Sequence, residues 1–394
     1  MGQWETKKLG QLCDIIAGQS PEGKYYNEEG IGLPFYQGKK EFQDKFIGLP
    51  QKWTTKITKK AFKGDILLSV RAPVGSINFA TKTACIGRGL AAIRTKSEID
   101  SDFLFYELLA LKNKIKGSEG AVFASINKKQ IESVKISYPP LSEQKRIVEI
   151  LDEAFEGIDR AITNTEKNLV NAHELFNSYL NNIFDQKRED WVQTKLEELC
   201  EVKDGTHDSP KYQENGIPLI TQKNIREHGL TFDNIKLISE IDHEKIKKRS
   251  NVAYGDILIS MIGVNRGMSC IVDQTKPFSI KNVGLIKKSD KINQFFLLYY
   301  LKSKRAKRYV ESVSCGGAQS FIGLKKLREF PILVTSKNEQ EKIVKKLDKI
   351  YTETQRLEAI YQRKLEALQE LKQSLLHKAF TGELTNPTVK EVAA

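Results

Sequence analysis

The apolar positions along this chain fall into two alternating regimes. Between Val148 and Ile183 they recur every three or four residues: Val148, Leu151, Phe155, Ile158, Ile162, Thr165, Leu169, Ala172, Phe176, Tyr179 and Ile183. That spacing predicts a long helix with one heptad stripe. A looser stripe runs through Val344, Leu347, Tyr351, Leu357, Tyr361, Leu365, Leu368, Leu371, Leu375 and Ala379. Proline interrupts neither stretch, and about 40 residues at 1.5 Å rise make a rod of roughly 60 Å. Ahead of each stripe the pattern changes. Short β-rich runs at Asp65–Val70, Val134–Ser137, Asp256–Met261 and Phe330–Val334 sit among Gly and Pro turn signals. One apolar helix is expected in each of these regions, over Asp102–Lys116 and Asn293–Val310.

The two regimes occur twice because the chain is an internal duplication. From Trp4 to Gly18 against Trp191 to Gly205, six of fifteen positions are identical. Gly64-Asp-Ile-Leu-Leu-Ser69 matches Gly255-Asp-Ile-Leu-Ile-Ser260, and Glu143–Asp152 matches Glu339–Asp348. Leu175, Ser178, Leu180 and Phe184 match Leu371, Ser374, Leu376 and Phe380. The offset drifts only from 187 to 196, so whole domains are repeated, not solenoid units. The expected segments are a globular repeat over 1–140, a long helix over 141–186, a second globular repeat over 187–336, a second helix over 337–381 and a tail over 382–394. The expected fold class is α+β, with two mixed α/β repeats. A helix with one apolar stripe needs a partner. Antiparallel pairing of the two helices would give the molecule a pseudo-twofold axis, which suits a two-part site on duplex DNA.

Charge sharpens this division. The 394 residues carry +13 overall. Residues 1–140 hold 22 Lys and Arg against 14 Asp and Glu, and residues 187–336 hold 26 against 18. The helical stretch 141–186 holds 4 against 9. The positive excess therefore lies in the globular repeats, where phosphates would be met. With 29% charged residues, a mean hydropathy of -0.43 and no apolar run near 20 residues, neither a membrane span nor a signal peptide is expected. The N-terminal Met1-Gly2 with Thr6 matches a myristoylation pattern too short to carry weight. Five dispersed cysteines (Cys13, Cys85, Cys200, Cys270, Cys315) predict no disulfide framework and fit a reducing cytoplasm.

No catalytic constellation emerges. A phosphate loop is lacking, Ser137-Tyr-Pro-Pro-Leu141 only superficially resembles an amino-methyltransferase signature, and Glu201-Val-Lys203 lacks the upstream acid of a nuclease. The five histidines are scattered, so neither metal nor cofactor is expected. Polar and aromatic clusters point instead to DNA. In the first repeat they are Gln19, Lys24, Tyr25, Tyr26, Tyr36, Gln37, Lys39 and Lys40, with Arg71 and Arg88 following strand-like runs. In the second they are Thr206, His207, Lys211, Tyr212, Thr221, Gln222, Lys223, Asn224 and Arg226, with Asn265, Arg266, Lys281 and Asn282 after strands. Amides, Arg and Lys read base edges, while Ser, Thr and Lys also serve phosphates. Lys302–Arg308 forms a further basic helical patch, and Trp4 and Trp191 are read as structural.

These features resemble the specificity subunits of type I restriction-modification systems. The resemblance rests on Pro139-Pro-Leu-Ser-Glu-Gln144 with Ile147, Val148 and Leu151, and on Ser374–Leu384. It also rests on Gly18–Pro21 with Gly32–Gly38, and on Asp204–Pro210 with Gly216–Pro218. The second helix entry departs from the first, with Thr335-Ser-Lys337 in place of Pro139-Pro-Leu141. The resemblance implies two target recognition domains, each reading half of a bipartite double-stranded DNA site, spaced by conserved helices. It implies two modification subunits that methylate adenine N6, and restriction subunits that translocate and cleave. Two other classes are compatible with the sequence: a coiled-coil scaffold that binds only protein, and a fused methylase or nuclease.

Overall fold

A computed structural model describes residues 4–113, 125–186, 189–227, 229–314 and 320–384. Gly2, Cys315 and the tail beyond Leu384 lie outside the described residues. Contacts group the chain into two units, residues 1–166 with 363–394, and residues 167–362. Each unit holds one globular repeat, the half-helix attached to it and half of the other long helix.

In the first unit a four-stranded antiparallel sheet runs in the order Cys13–Ala17, Leu90–Thr95, Ile66–Ser69, Ile77–Phe79. A second, five-stranded sheet contains one parallel pair, Leu33–Tyr36 beside Ala84–Ile86. The second unit repeats the plan. Val202–Asp204, Val283–Ile286, Ile257–Ser260 and Ser269–Ile271 form the antiparallel sheet, and Ile217–Ile220 pairs in parallel with Ser279–Ile280. A two-stranded ribbon closes each globular repeat, Glu5–Lys8 with Lys135–Tyr138 and Val192–Lys195 with Pro331–Val334.

The Gly-Asp-Ile-Leu pairs explain the central strands. Gly64 and Gly255 adopt φ of +90° and +85°, which side chains with a Cβ rarely tolerate. The following Asp65 and Asp256 accept hydrogen bonds from the Phe62 and Ala253 backbone N–H groups, both at 2.8 Å. This turn delivers Ile66–Ser69 and Ile257–Ser260, every residue of which is buried. Burial pushes the thiols of Cys13 and Cys200, beside these sheets, up to about 12. Cys85 and Cys270 are buried and free as well.

The long helices span Leu141–Asp185 and Lys337–Phe380. Each is tied to its globular repeat by a buried glutamine. Gln144 Oε1 accepts from the Asp100 N–H at 2.8 Å and its Nε2 donates to Pro139 O at 2.8 Å; Gln340 does the same to Asn293 and Thr335 at 2.8 and 2.7 Å. The different helix-entry sequences therefore reach the same geometry. In the second unit His173 meets Glu358 at 2.8 Å and Phe176 packs edge-on against Tyr351 at 5.3 Å. Advancing along one helix retreats along the other, so the pair is antiparallel. In the first unit Lys372 bonds Asp159 and lies over the Phe155 ring at 4.9 Å.

Three expectations change. The helix expected over Asn293–Val310 breaks at Ser303 into Gln294–Lys302 and Lys304–Val313, because the Ser303 hydroxyl caps the second piece through the Ala306 N–H. The basic patch 302–308 is split by that break. The stripe of the second long helix passes through buried Thr354 and half-buried Glu358, not directly from Tyr351 to Leu357, while Leu371 is 46% exposed. No helix among the described residues is long and apolar enough to cross a membrane. Trp4 packs against Phe103, and Trp191 against Phe184 and Phe296.

Candidate nucleic-acid interface

In each globular repeat, four loops converge at one end of the antiparallel sheet. In the first, Gly18 N–H donates to Leu90 O and Gln19 N–H to Ile86 O, both at 2.9 Å. Gly87 N–H donates to Tyr36 O at 2.8 Å, Gly89 N–H to Gln37 O at 3.0 Å and Val70 N–H to Gly89 O at 3.0 Å. The crossing leaves no room for a side chain at Gly18, where a Cβ would stand 2.2 Å from Gly87 O. In the second repeat Gly205 donates to Val283 O, Thr206 to Ile280 O, Lys281 to Ile220 O and Asn282 to Thr206 O, at 2.9 to 3.0 Å. A Cβ on Gly205 would stand 2.1 Å from Ile280 O. These backbone knots bring Gln19, Gln37, Arg71 and Arg88 together in one repeat, and Thr206, His207, Gln222, Lys281 and Asn282 in the other.

The side chains carried by the knots differ. Exposed Arg71 and Arg88 share a depression of about 290 Å³ with Asn127 and Lys128, two residues the polar clusters in the sequence did not include. In the second repeat, buried Asp204 accepts from His207 Nε2 at 2.9 Å and from Arg249 at 2.6 and 2.9 Å. The other ring nitrogen of His207 bonds Asn282, itself held at φ 54°. Asp204 and Arg249 thus orient an exposed imidazole. Arg249 ends the helix Glu240–Arg249, outside every cluster read from the sequence.

Several candidates have other duties. Tyr36 is 1% exposed, donates to Gly48 O at 2.9 Å and has its hydroxyl pushed up to about 12 by burial. It belongs to the core. Asn224 is 5% exposed and caps a turn with Thr221. Tyr26 stacks on Phe35 and donates to Pro21 O at 2.7 Å. These commitments remove Tyr36 and Asn224 from the surface and turn Tyr26 inward. Lys24 pairs with Glu22 at 2.7 Å and lies over Tyr25. Lys39 and exposed Lys40 form a turn directly after Gln37 and Gly38. Exposed Lys211 and Tyr212 lie at a sheet edge, with Lys236 over the Tyr212 ring at 4.6 Å. Lys223 and Arg226 are exposed. Lys281 bonds Ser209. Arg266 donates through Nη1 to Gly263 O at 2.7 Å and through Nε to Ser314 at 3.1 Å, so it braces the loop that also carries Asn265. Among the described residues no group of His, Cys, Asp and Glu could hold a metal ion.

Residues 1–172 and 188–367 each match the type I restriction modification DNA specificity domain. A putative type I restriction enzyme MjaX specificity subunit of Methanocaldococcus jannaschii is 49% identical over 152 residues, 38% of this chain and 36% of that relative. The MjaVIII specificity subunit of the same organism is 25% identical over 405 residues, covering 97% and 93% of the two chains. The fold is shared with the HsdS subunit from Thermoanaerobacter tengcongensis at a TM-score of 0.62 and 19% identity, over 97% of each chain. A chain solved to explain complex assembly and conformational transition of the type I R-M system gives a TM-score of 0.78 at 19% identity, over 97% and 98%.

Proposed function

The chain belongs to the type I restriction modification DNA specificity family, and we propose that its two repeats each read one half of a bipartite duplex DNA target. Specificity subunits are non-catalytic. This one would direct two modification subunits to methylate adenine N6, and restriction subunits, when recruited, to cleave, all in the cytoplasm. The observation that carries the reading is the repeated loop knot: one backbone arrangement, built twice, presenting two different sets of side chains. Each knot belongs to a globular repeat with a surplus of eight positive charges. Phosphate contacts from such a surplus supply affinity, and the non-identical polar side chains supply base discrimination. Gln19, Gln37, Arg71 and Arg88 are the first repeat's candidates; His207, Gln222, Asn265 and Asn282 are the second's.

The test is a domain exchange read by adenine-methylation mapping in cells that carry the modification subunit. Replacing residues 1–140 with the matching segment of a relative changes one half of the methylated motif and leaves the other. A change in both halves together would refute two independent readers. The K39A/K40A pair weakens DNA binding and flattens its log–log salt dependence if these lysines meet phosphate; an unchanged slope removes them.

A further inference from the structure

The loop Ile262–Gly267 of the second repeat presents a side chain that polar residue types do not reveal. Val264 is 100% exposed, the most exposed large apolar residue described in the chain. A single exposed valine is ordinary on a protein surface, so exposure alone decides nothing. Its support is what sets it apart. Gly263 and Gly267 hold φ of +74° and +80° on either side. Gly267 N–H donates to Ser260 O at 2.9 Å, Met268 N–H to Asn265 O at 3.0 Å and Gly263 N–H to Ser320 O at 3.2 Å. Arg266 spends its guanidinium inside the loop, as described above. The polar groups of this loop are thus largely turned to bracing it, and the tip they brace is apolar.

The same place in the first repeat carries the opposite chemistry. Isolated bridges pair Arg71 with Ser125 and Ile262 with Phe321, so these positions correspond. In both repeats the loop closes on the same serine: Gly75 N–H donates to Ser69 O at 3.0 Å, as Gly267 does to Ser260. The first repeat therefore offers an exposed arginine beside a serine. The second offers isoleucine beside Phe321, itself 47% exposed, with Val264 at the tip. Gln222 abuts Gly263, which joins this tip to the knot carrying His207 and Asn282.

Resting on the function proposed above, we infer that Val264 contacts the 5-methyl group of a thymine in the major groove of the half-site read by residues 187–336. Thymine is the only standard DNA base that presents a methyl group in that groove. The positive excess of residues 187–336 as a whole brings this repeat to duplex DNA, and a short braced valine fits a methyl group. Arg71, at the matching place, has donors suited to guanine or phosphate.

The test uses the full chain with its modification subunits and duplexes carrying the mapped target. Each thymine of the second half-site is replaced in turn by uracil, which keeps pairing and removes only the methyl. Wild-type binding weakens roughly four-fold at one position, the equivalent of one buried methyl group. V264A and V264S bind the thymine duplex with a similar loss and no longer distinguish uracil there. Their thermal unfolding matches wild type because the position is fully exposed. Uracil-insensitive binding, a second half-site without thymine, or discrimination that survives in V264A overturns the inference while leaving a bipartite reader intact. Failure to bind any duplex specifically overturns both.

Discussion

The two repeats differ most where their backbones agree best. Both loop knots need a glycine at the same crossing, both long helices are anchored by a glutamine, and Tyr106 to Asp152 recurs as Tyr299 to Asp348. Over the same frame, Arg71 and Arg88 face Ile262 and Asn282, and Ser20 stands where His207 is held by Asp204 and Arg249. Duplication has kept the groups that satisfy buried backbone and released those that face solvent. That division would serve the proposed reader of two half-sites: the frame fixes where side chains stand, and their chemistry can diverge without loss of stability.

If the frames are equivalent, equivalent lesions should cost the same. G18A and G205A each push a Cβ to within about 2 Å of a carbonyl oxygen. Each should lose about 3 kcal/mol or more of unit stability, because backbone must move to relieve the clash. Urea unfolding with a probe in each unit checks this. A tolerated G205A beside a disruptive G18A would break the comparison.

One buried position is an exception to the shared frame. Glu107 is 4% exposed and accepts the Ser137 N–H at 3.0 Å, but its Oε2 has no partner. Its counterpart Tyr300 donates to Pro331 O at 2.8 Å. Burial raises the Glu107 carboxyl from 4.5 to about 8. A raised folded pKa means that the neutral form suits the folded state. The stability associated with it is complete below about 4.5 and is lost as pH climbs through about 8. Between pH 6 and 9 the first unit should therefore weaken, and E107Q should abolish that slope. Thermal unfolding of both variants across this range measures it; an unchanged slope in E107Q assigns the loss elsewhere.

Much of the frame was legible in the sequence because frames repeat. The Gly-Asp-Ile-Leu turns, the paired cysteines and the heptad of the first long helix all recur or alternate with period. The second stripe departs from the apolar count where buried Thr354 and half-buried Glu358 occupy seam positions, since such a count skips polar residues that pack there. The break at Ser303 was hidden for a related reason: a serine inside an apolar run caps a helix only when the chain turns there. Composition picked out loops that the fold brings together, but not which of their side chains face solvent. Tyr36 and Asn224 are indistinguishable from surface residues until burial is seen, and Val264 lies outside any search for polar base readers.

The arginines sharpen the contrast between the two tips. Arg71 is exposed, and R71A should reduce the salt slope of DNA binding by about one without altering unfolding. Arg266 is spent on Gly263 and Ser314, so R266A should lower stability by about 1–2 kcal/mol and impair only the second half-site. Equal salt effects from the two substitutions would mean that Arg266 leaves its brace to meet phosphate.

The smallest effect lies on the helix seam. Ile158 and Ile162 of the first helix correspond to Thr354 and Glu358 of the second. The first pair packs among apolar side chains, whereas Thr354 turns its hydroxyl back to Tyr351 O at 2.8 Å and Glu358 holds His173 at 2.8 Å. His173 is 59% exposed, so solvent screens its contact with Glu358, which contributes at most about 1 kcal/mol. Thr354 and Glu358 also line a cavity of about 380 Å³ within the second unit, together with Tyr351, Leu301 and Val310. Giving this seam the first helix's residues, T354I with E358I, removes a partly buried charge and adds apolar volume beside existing space. The double variant should gain about 1 kcal/mol in the second unit, because a weak, half-screened pair is replaced by packing. The single variant H173A should change stability by less than that. Urea midpoints of the second unit decide between them. A loss in the double variant larger than in H173A would mean that the polar seam contributes more than its screened contact with His173, and that the two helices have diverged for a structural reason absent from the first unit.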